Sequence, residues 1–113
     1  MKKFIVTYHM PDGLWAQTGD STPEEMEKGM EGWMAWAAKC GDKLVDFGTP
    51  LAGGQKLSQD GNSQESKRQV CGYSILQAND IAEAKALLQG HPHLVWDAAC
   101  EIEVHESMPT PGM

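Results

Sequence analysis

The order of local signals in this 113-residue chain predicts an α+β domain with the element order β-α-β-β-α-β. Three observations carry that expectation. Residues 3–9 alternate, with Phe4, Val6 and Tyr8 on one side and Ile5, Thr7 and His9 on the other, as a half-buried strand requires. Two helix starts are written out in full, at Thr22-Pro23-Glu24-Glu25 and at Asp80-Ile81-Ala82-Glu83. The stretches 69–77 and 101–106 then alternate again, one before and one after the second helix.

Taken in order, the first strand is ended by Pro11-Asp12-Gly13, and 14–21 reads as a loop. After the Thr22 cap, Met26, Met30, Trp33, Ala37 and Cys40 recur at helical spacing as an apolar stripe, widened by Trp36 and closed by Gly41. Residues 43–48 form a short second strand, stopped by Gly48 and Pro50. From 52 to 68 the chain is polar and glycine-rich, a flexible loop with room for a short hairpin around Asp60-Gly61-Asn62. The third strand, 69–77, places Cys71, Tyr73, Ile75 and Gln77 on one face. The second helix is expected to bury Ile81, Ala84 and Leu88, and His91-Pro92-His93 to follow as a tight turn. The last strand sets Ile102 and Val104 against Glu101, Glu103 and His105, and 107–113 is a proline-containing tail.

This order is the split-βαβ, ferredoxin-like plan: a four-stranded antiparallel sheet with two helices on one face. Right-handed crossovers place both helices together. The second sheet face is left uncovered, and a homodimer packed sheet to sheet is the expected way to cover it. The length suits one domain spanning 1–113.

Composition narrows the functions. A net charge of −7 disfavours nucleic acid and anionic membrane, since both need a basic surface. Lys2-Lys3 and Lys67-Arg68 are too few to make one. Cys40, Cys71 and Cys100 show no Cys-x-x-Cys spacing, so neither a metal nor another cofactor is expected. Three thiols in apolar elements read as reduced, which points to a cytoplasmic protein. The basic start is followed by too short an apolar run for a signal peptide.

Several short motifs resemble those of the YciI-like, or YCII-related (DGPF), proteins. They are Tyr8 in the first strand, Gly41 ahead of Leu44-Val45-Asp46-Phe47-Gly48-Thr49-Pro50-Leu51, Gly72-Tyr73-Ser74-Ile75, the run from Ala78 to Ala84, and Ile102-Glu103-Val104. The resemblance covers nearly all of the chain outside 12–21 and 55–68. It implies a ferredoxin-like fold paired into a dimeric α+β barrel, with a cleft between helices and sheet. Most such proteins lack an established activity, and a few related ones act on small ring compounds. The family's proposed active pair is a histidine in the first helix and an aspartate ahead of a proline after the second. Here Met30 stands near the first position and His91 at the second. The resemblance thus implies a scaffold whose chemistry has changed or been lost.

Among residues able to carry chemistry, His91 and His93 flank a proline that sets their orientation, as a metal pair or proton relay needs. Capping or solvent exposure is the commoner fate of such histidines. Glu101, Glu103 and His105 share a strand face that topology brings beside His9, so a His–carboxylate base is conceivable there. A solvated strand face explains the same pattern. Asp46 interrupts an apolar strand and must either face water or find a partner, while Tyr73 offers a phenol with one hydrogen bond to make. Trp33 and Trp36 read as core, or as the wall of an aromatic pocket. Gly53-Gly54 lacks the rest of a phosphate loop, and no GxSxG motif is present.

Two functions follow as expectations. One is a small enzyme acting on a small organic molecule through His9, Asp46, His91, His93 and Glu103. The other is a non-catalytic ligand-binding or accessory dimer. A partner-binding adaptor is a weaker third.

Overall fold

The computed structural model describes residues 1–11 and 22–112, so the loop expected at 14–21 lies outside the described residues. Strand β1 (Lys2–His9) is followed by helix α1 (Pro23–Cys40), a single 3-10 turn (Gly41–Lys43) and strand β2 (Leu44–Asp46). A hairpin of β3 (Gln55–Leu57) and β4 (Ser63–Glu65) precedes β5 (Val70–Ala78). Helices α2 (Ile81–Leu88) and α3 (Pro92–Trp96) lead to β6 (Glu101–Glu106). The main sheet has the order β2-β5-β1-β6, and all of its pairings are antiparallel. With the hairpin set aside, this is the ferredoxin-like order the sequence predicts.

The central pair explains the stability of the sheet. In β1, Phe4, Val6 and Tyr8 are buried while Ile5, Thr7 and His9 are only half-buried, which is the expected alternation. Leu76 and Ala78 of β5 join the buried side, as do Trp36 and Cys40 of α1 and Ala84 and Leu88 of α2. Both helices therefore cover the same face. The Trp36 Nε1–H donates to the Leu87 carbonyl at 2.9 Å and fastens α1 to α2.

The helix starts obey their sequence signals. The Glu25 N–H donates to the Thr22 hydroxyl at 3.2 Å, and the Glu83 N–H to the Asp80 carboxylate at 2.8 Å. Gly41 ends α1 at φ 59°, a left-handed position that glycine adopts without cost.

Several expectations are corrected. Only the C-terminal half of the α1 stripe is covered: Met26 and Met30 are exposed because the sheet and α2 end beside Trp33 and Trp36. Ile81, at the first position of α2 beside the Asp80 cap, is also exposed, whereas Ala84 and Leu88 are buried. The second strand is shorter than predicted at both ends: Lys43 belongs to the 3-10 turn, and after Asp46 the chain turns, with the Gly48 N–H bonded to the Asp46 carboxylate. Cys71 leaves the face of Tyr73, Ile75 and Gln77 and packs against the core. The cause is a bulge, where Tyr8 pairs with Gly72 and His9 with Val70, leaving Cys71 without a partner. His91-Pro92-His93 is the N-terminus of α3 rather than a free turn.

Candidate functional site

A cleft of about 360 Å³ opens where the covered face of the sheet runs out beyond Tyr8. Its walls are Met30 and Trp33 from α1, Phe47, Gly48 and Pro50 after β2, Cys71 and Gly72 of β5, and Pro92, His93 and Trp96 of α3. The lining is almost wholly apolar and aromatic. Two glycines shape the floor. Gly48 has φ 81°, and a Cβ there would stand 1.7 Å from the Tyr73 carbonyl oxygen, so only glycine lets this loop lie on β5. Gly72 lets the Tyr8 ring and the Thr49 carbonyl come close.

Three polar groups stand at the cleft or just behind it. Tyr8 is buried, and its hydroxyl lies 2.7 Å from Ser74 Oγ, which donates to the Phe47 carbonyl at 2.7 Å. Tyr8 therefore donates to Ser74, and the two hold the 47–50 loop. Burial pushes its phenol well above the ordinary range, so it stays protonated. His93 lines the cleft with its ring Nε2 2.8 Å from the His9 carbonyl, so this nitrogen carries a proton. Burial lowers its pKa, while hydrogen bonds to the His9 and Glu101 backbone act the other way.

His91 sits behind the cleft wall and is wholly buried. Its Nδ1 accepts the His93 backbone N–H at 3.0 Å and caps α3. The proton is therefore on Nε2, which has no hydrogen-bond partner among the described residues. Its surroundings are aromatic: the ring centroids of Trp36, Trp33 and Tyr8 lie 4.4, 4.5 and 5.0 Å away, with both indoles edge to face. Burial, assisted by His93, drives the pKa of His91 down to about 3, so the ring is neutral near pH 7.

The other three residues singled out from the sequence lie elsewhere. His9 and Glu103 are on the uncovered sheet face. The His9 Nδ1–H donates to the Arg68 carbonyl at 2.7 Å and its Nε2 accepts from the Thr7 hydroxyl at 2.8 Å. Glu103 Oε1 is 4.0 Å from His9 and 3.0 Å from His105, and His105 holds its carboxyl below the usual range. Asp46 is on the same face at the other end of the sheet order. It accepts the Gly48 N–H at 2.9 Å and the Tyr73 hydroxyl at 3.3 Å, and its charge raises the Tyr73 phenol. Only His91 and His93 come together at the cleft. The five do not converge, because β1 carries Tyr8 and His9 to opposite faces.

Sequence reasoning missed Met10, Pro50, Pro92 and Trp96 as cleft lining. The Phe47-Gly48-Thr49-Pro50 run was the available signal, a strand ending in a glycine that must lie flat. Among the described residues no group of three or more His, Cys, Asp or Glu side chains is arranged to hold a metal ion. No described helix is long and apolar enough to cross a membrane.

Comparison with curated protein sequences finds no match. The fold is similar to that of 5-chloro-2-hydroxyhydroquinone dehydrochlorinase (TftG) from Burkholderia phenoliruptrix AC1100, solved in complex with 2,5-dihydroxybenzoquinone. The TM-score is 0.56 at 14% identity, covering 94% of this chain and 93% of that one, a likeness of fold alone. The family model of the YCII-related domain matches residues 1–107, and the chain belongs to that family.

Proposed function

We propose that this YCII-related protein takes up a small, uncharged ring compound in the cleft between α1, α3 and the 47–50 loop. The observation that carries this is the lining itself, with Trp33, Phe47, Trp96 and Tyr8 around about 360 Å³ of nearly apolar space. Such a site suits a ligand of one or two rings, held by shape and aromatic contact and oriented by few polar groups. His93 is the polar group positioned to orient a hydroxyl or carbonyl.

Binding is favoured over His–carboxylate catalysis. The ring of His93 is tied to backbone and uncharged near pH 7, and no carboxylate is among the described residues that line the cleft. His9, Asp46 and Glu103 belong to the other sheet face and act there as surface or interface groups. The enzyme role remains the second reading. It is supported by His93 in the cleft wall and by a neighbour of similar fold that is a dehydrochlorinase.

The test uses 1-naphthol as the probe, followed through the tryptophan indole N–H signals in NMR. The signals of Trp33 and Trp96 are expected to shift, while that of Trp36, bonded to the Leu87 carbonyl, stays in place. Trp33→Ala should weaken binding by about tenfold or more. A probe that leaves Trp33 and Trp96 unmoved overturns the proposal. Chloride release from 5-chloro-2-hydroxyhydroquinone that is lost in His93→Gln would favour the enzyme reading instead.

We further propose a homodimer through the uncovered face, supported by the apolar Ile5 and Ile75 in its centre. Sedimentation at micromolar concentration checks this, and a monomer would contradict it. Three free thiols support a reducing, cytoplasmic setting.

A further inference from the structure

We infer that Met30 is a modification site, whose oxidation by a hydroperoxide to the sulfoxide closes the cleft to its ligand. The inference rests on the ring-binding role proposed above. Three methionines of α1 stand in line on the helix surface, at positions 26, 30 and 34, with 63%, 51% and 59% of their surface exposed. An exposed thioether is open to peroxide. Of the three, only Met30 also lines the cleft, where it faces the same space as Trp33 and Trp96. The other methionine of the lining, Met10, is only 5% exposed and is protected by its burial.

The reaction is a two-electron oxygen transfer. The Met30 sulfur attacks the peroxide, the O–O bond breaks, one oxygen stays on sulfur, and the other leaves as water or an alcohol. The product is larger and carries a strong S=O dipole, and a thioether that suited an aromatic ligand becomes a group that must be kept in water. Burying that dipole against an apolar ring costs enough to weaken binding by about tenfold or more.

The nearby thiol is a poor competitor. Burial, reinforced by Cys100, pushes the Cys71 pKa up to about 11, so little reactive thiolate is present at pH 7. Its first oxidation products, a sulfenic acid or a disulfide, would also be reversed by dithiothreitol, whereas a methionine sulfoxide would not.

The experiment treats the full chain with dilute hydrogen peroxide, maps sulfoxides by mass spectrometry, reduces with dithiothreitol, and titrates 1-naphthol. Binding should fall about tenfold or more in step with sulfoxide at Met30, and methionine sulfoxide reductase should restore it. The double variant Met26→Leu, Met34→Leu should keep the full response. In Met30→Leu, peroxide should no longer change whatever affinity that variant has. Unchanged binding with Met30 oxidised overturns the inference, as does a peroxide response that survives in Met30→Leu. Failure of the untreated protein to bind 1-naphthol at all would instead sink the ring-binding role, and this inference with it.

Discussion

The two faces of the central sheet are built from the same strands yet hold histidines in opposite conditions. On the covered face, His91 is wholly buried among Tyr8, Trp33 and Trp36, and His93 is tied to the His9 carbonyl. On the uncovered face, His9 and His105 sit beside Glu103, with the His105 side chain 66% exposed. One pair is kept neutral by loss of water, while the other stands beside a carboxylate, with His105 open to water and His9 largely enclosed. The lesson is that a histidine's chemistry here follows the face it is assigned, and alternation along a strand or one helical cap makes the assignment.

The largest expected effect comes from breaking the covered face. Phe4 is fully buried at the centre of the core, so Phe4→Ala should cost about 3–5 kcal/mol in urea unfolding. Its neighbour Ile5, half-buried on the other face, should cost about 1 kcal/mol as Ile5→Ala in the monomer. Equal losses would mean that the second face is covered too, as the proposed dimer requires. The pair of variants measured at several protein concentrations separates these cases.

Acid is the next way to separate the faces. The His91 pKa is depressed in the folded protein, so between about 3 and 6.5 the unfolded chain binds more protons than the native one. Stability should therefore be full above pH 6.5 and fall as the pH drops toward 3, by an amount on the order of 3 kcal/mol at pH 4. His93, shifted the same way, adds to the slope. His91→Asn can still cap α3 but has no imidazole to protonate, so its melting temperature should vary less between pH 7 and pH 4. An unchanged slope in that variant would break the comparison.

The smallest effect should come from the exposed side. His105→Ala should change the stability of the monomer by less than about 0.5 kcal/mol, because its ring is mostly in water. A larger loss measured by thermal unfolding would again point to cover on that face.

Much of the fold was legible in advance for local reasons. Thr22 and Asp80 fixed both long-helix starts because a cap is a contact between residues three apart. The split of β1 into Phe4, Val6, Tyr8 and Ile5, Thr7, His9 followed from the period of two. Ile81, expected inside, is exposed, and so are Met26 and Met30 of the apolar stripe, because a stripe tells which side of a helix is apolar but not how far the sheet beneath it extends. Cys71 was misplaced because a bulge opposite Tyr8 and His9 leaves no mark of its own in the pattern. The candidate site was legible at His91 and His93, and at Trp33 as one of two open readings, core or pocket wall. Trp96, Pro50 and Met10 come from three distant segments and meet only in the folded chain.

By itself, then, the sequence determined the element order, the two caps, the ferredoxin-like sheet and the side of each strand that is apolar. The caps and the alternation are effects of neighbours a few residues apart, whereas the sheet pairs residues as distant as Lys2 and Ala78 and follows from the element order through right-handed connections. Tertiary structure decided where the sheet stops, and hence that a cleft opens beyond Tyr8 with Met30 on its rim. It also decided that His91 loses all contact with water while His105 keeps it. Burial and convergence are sums over residues far apart in the chain, and desolvation sets an imidazole's charge only once those sums are complete.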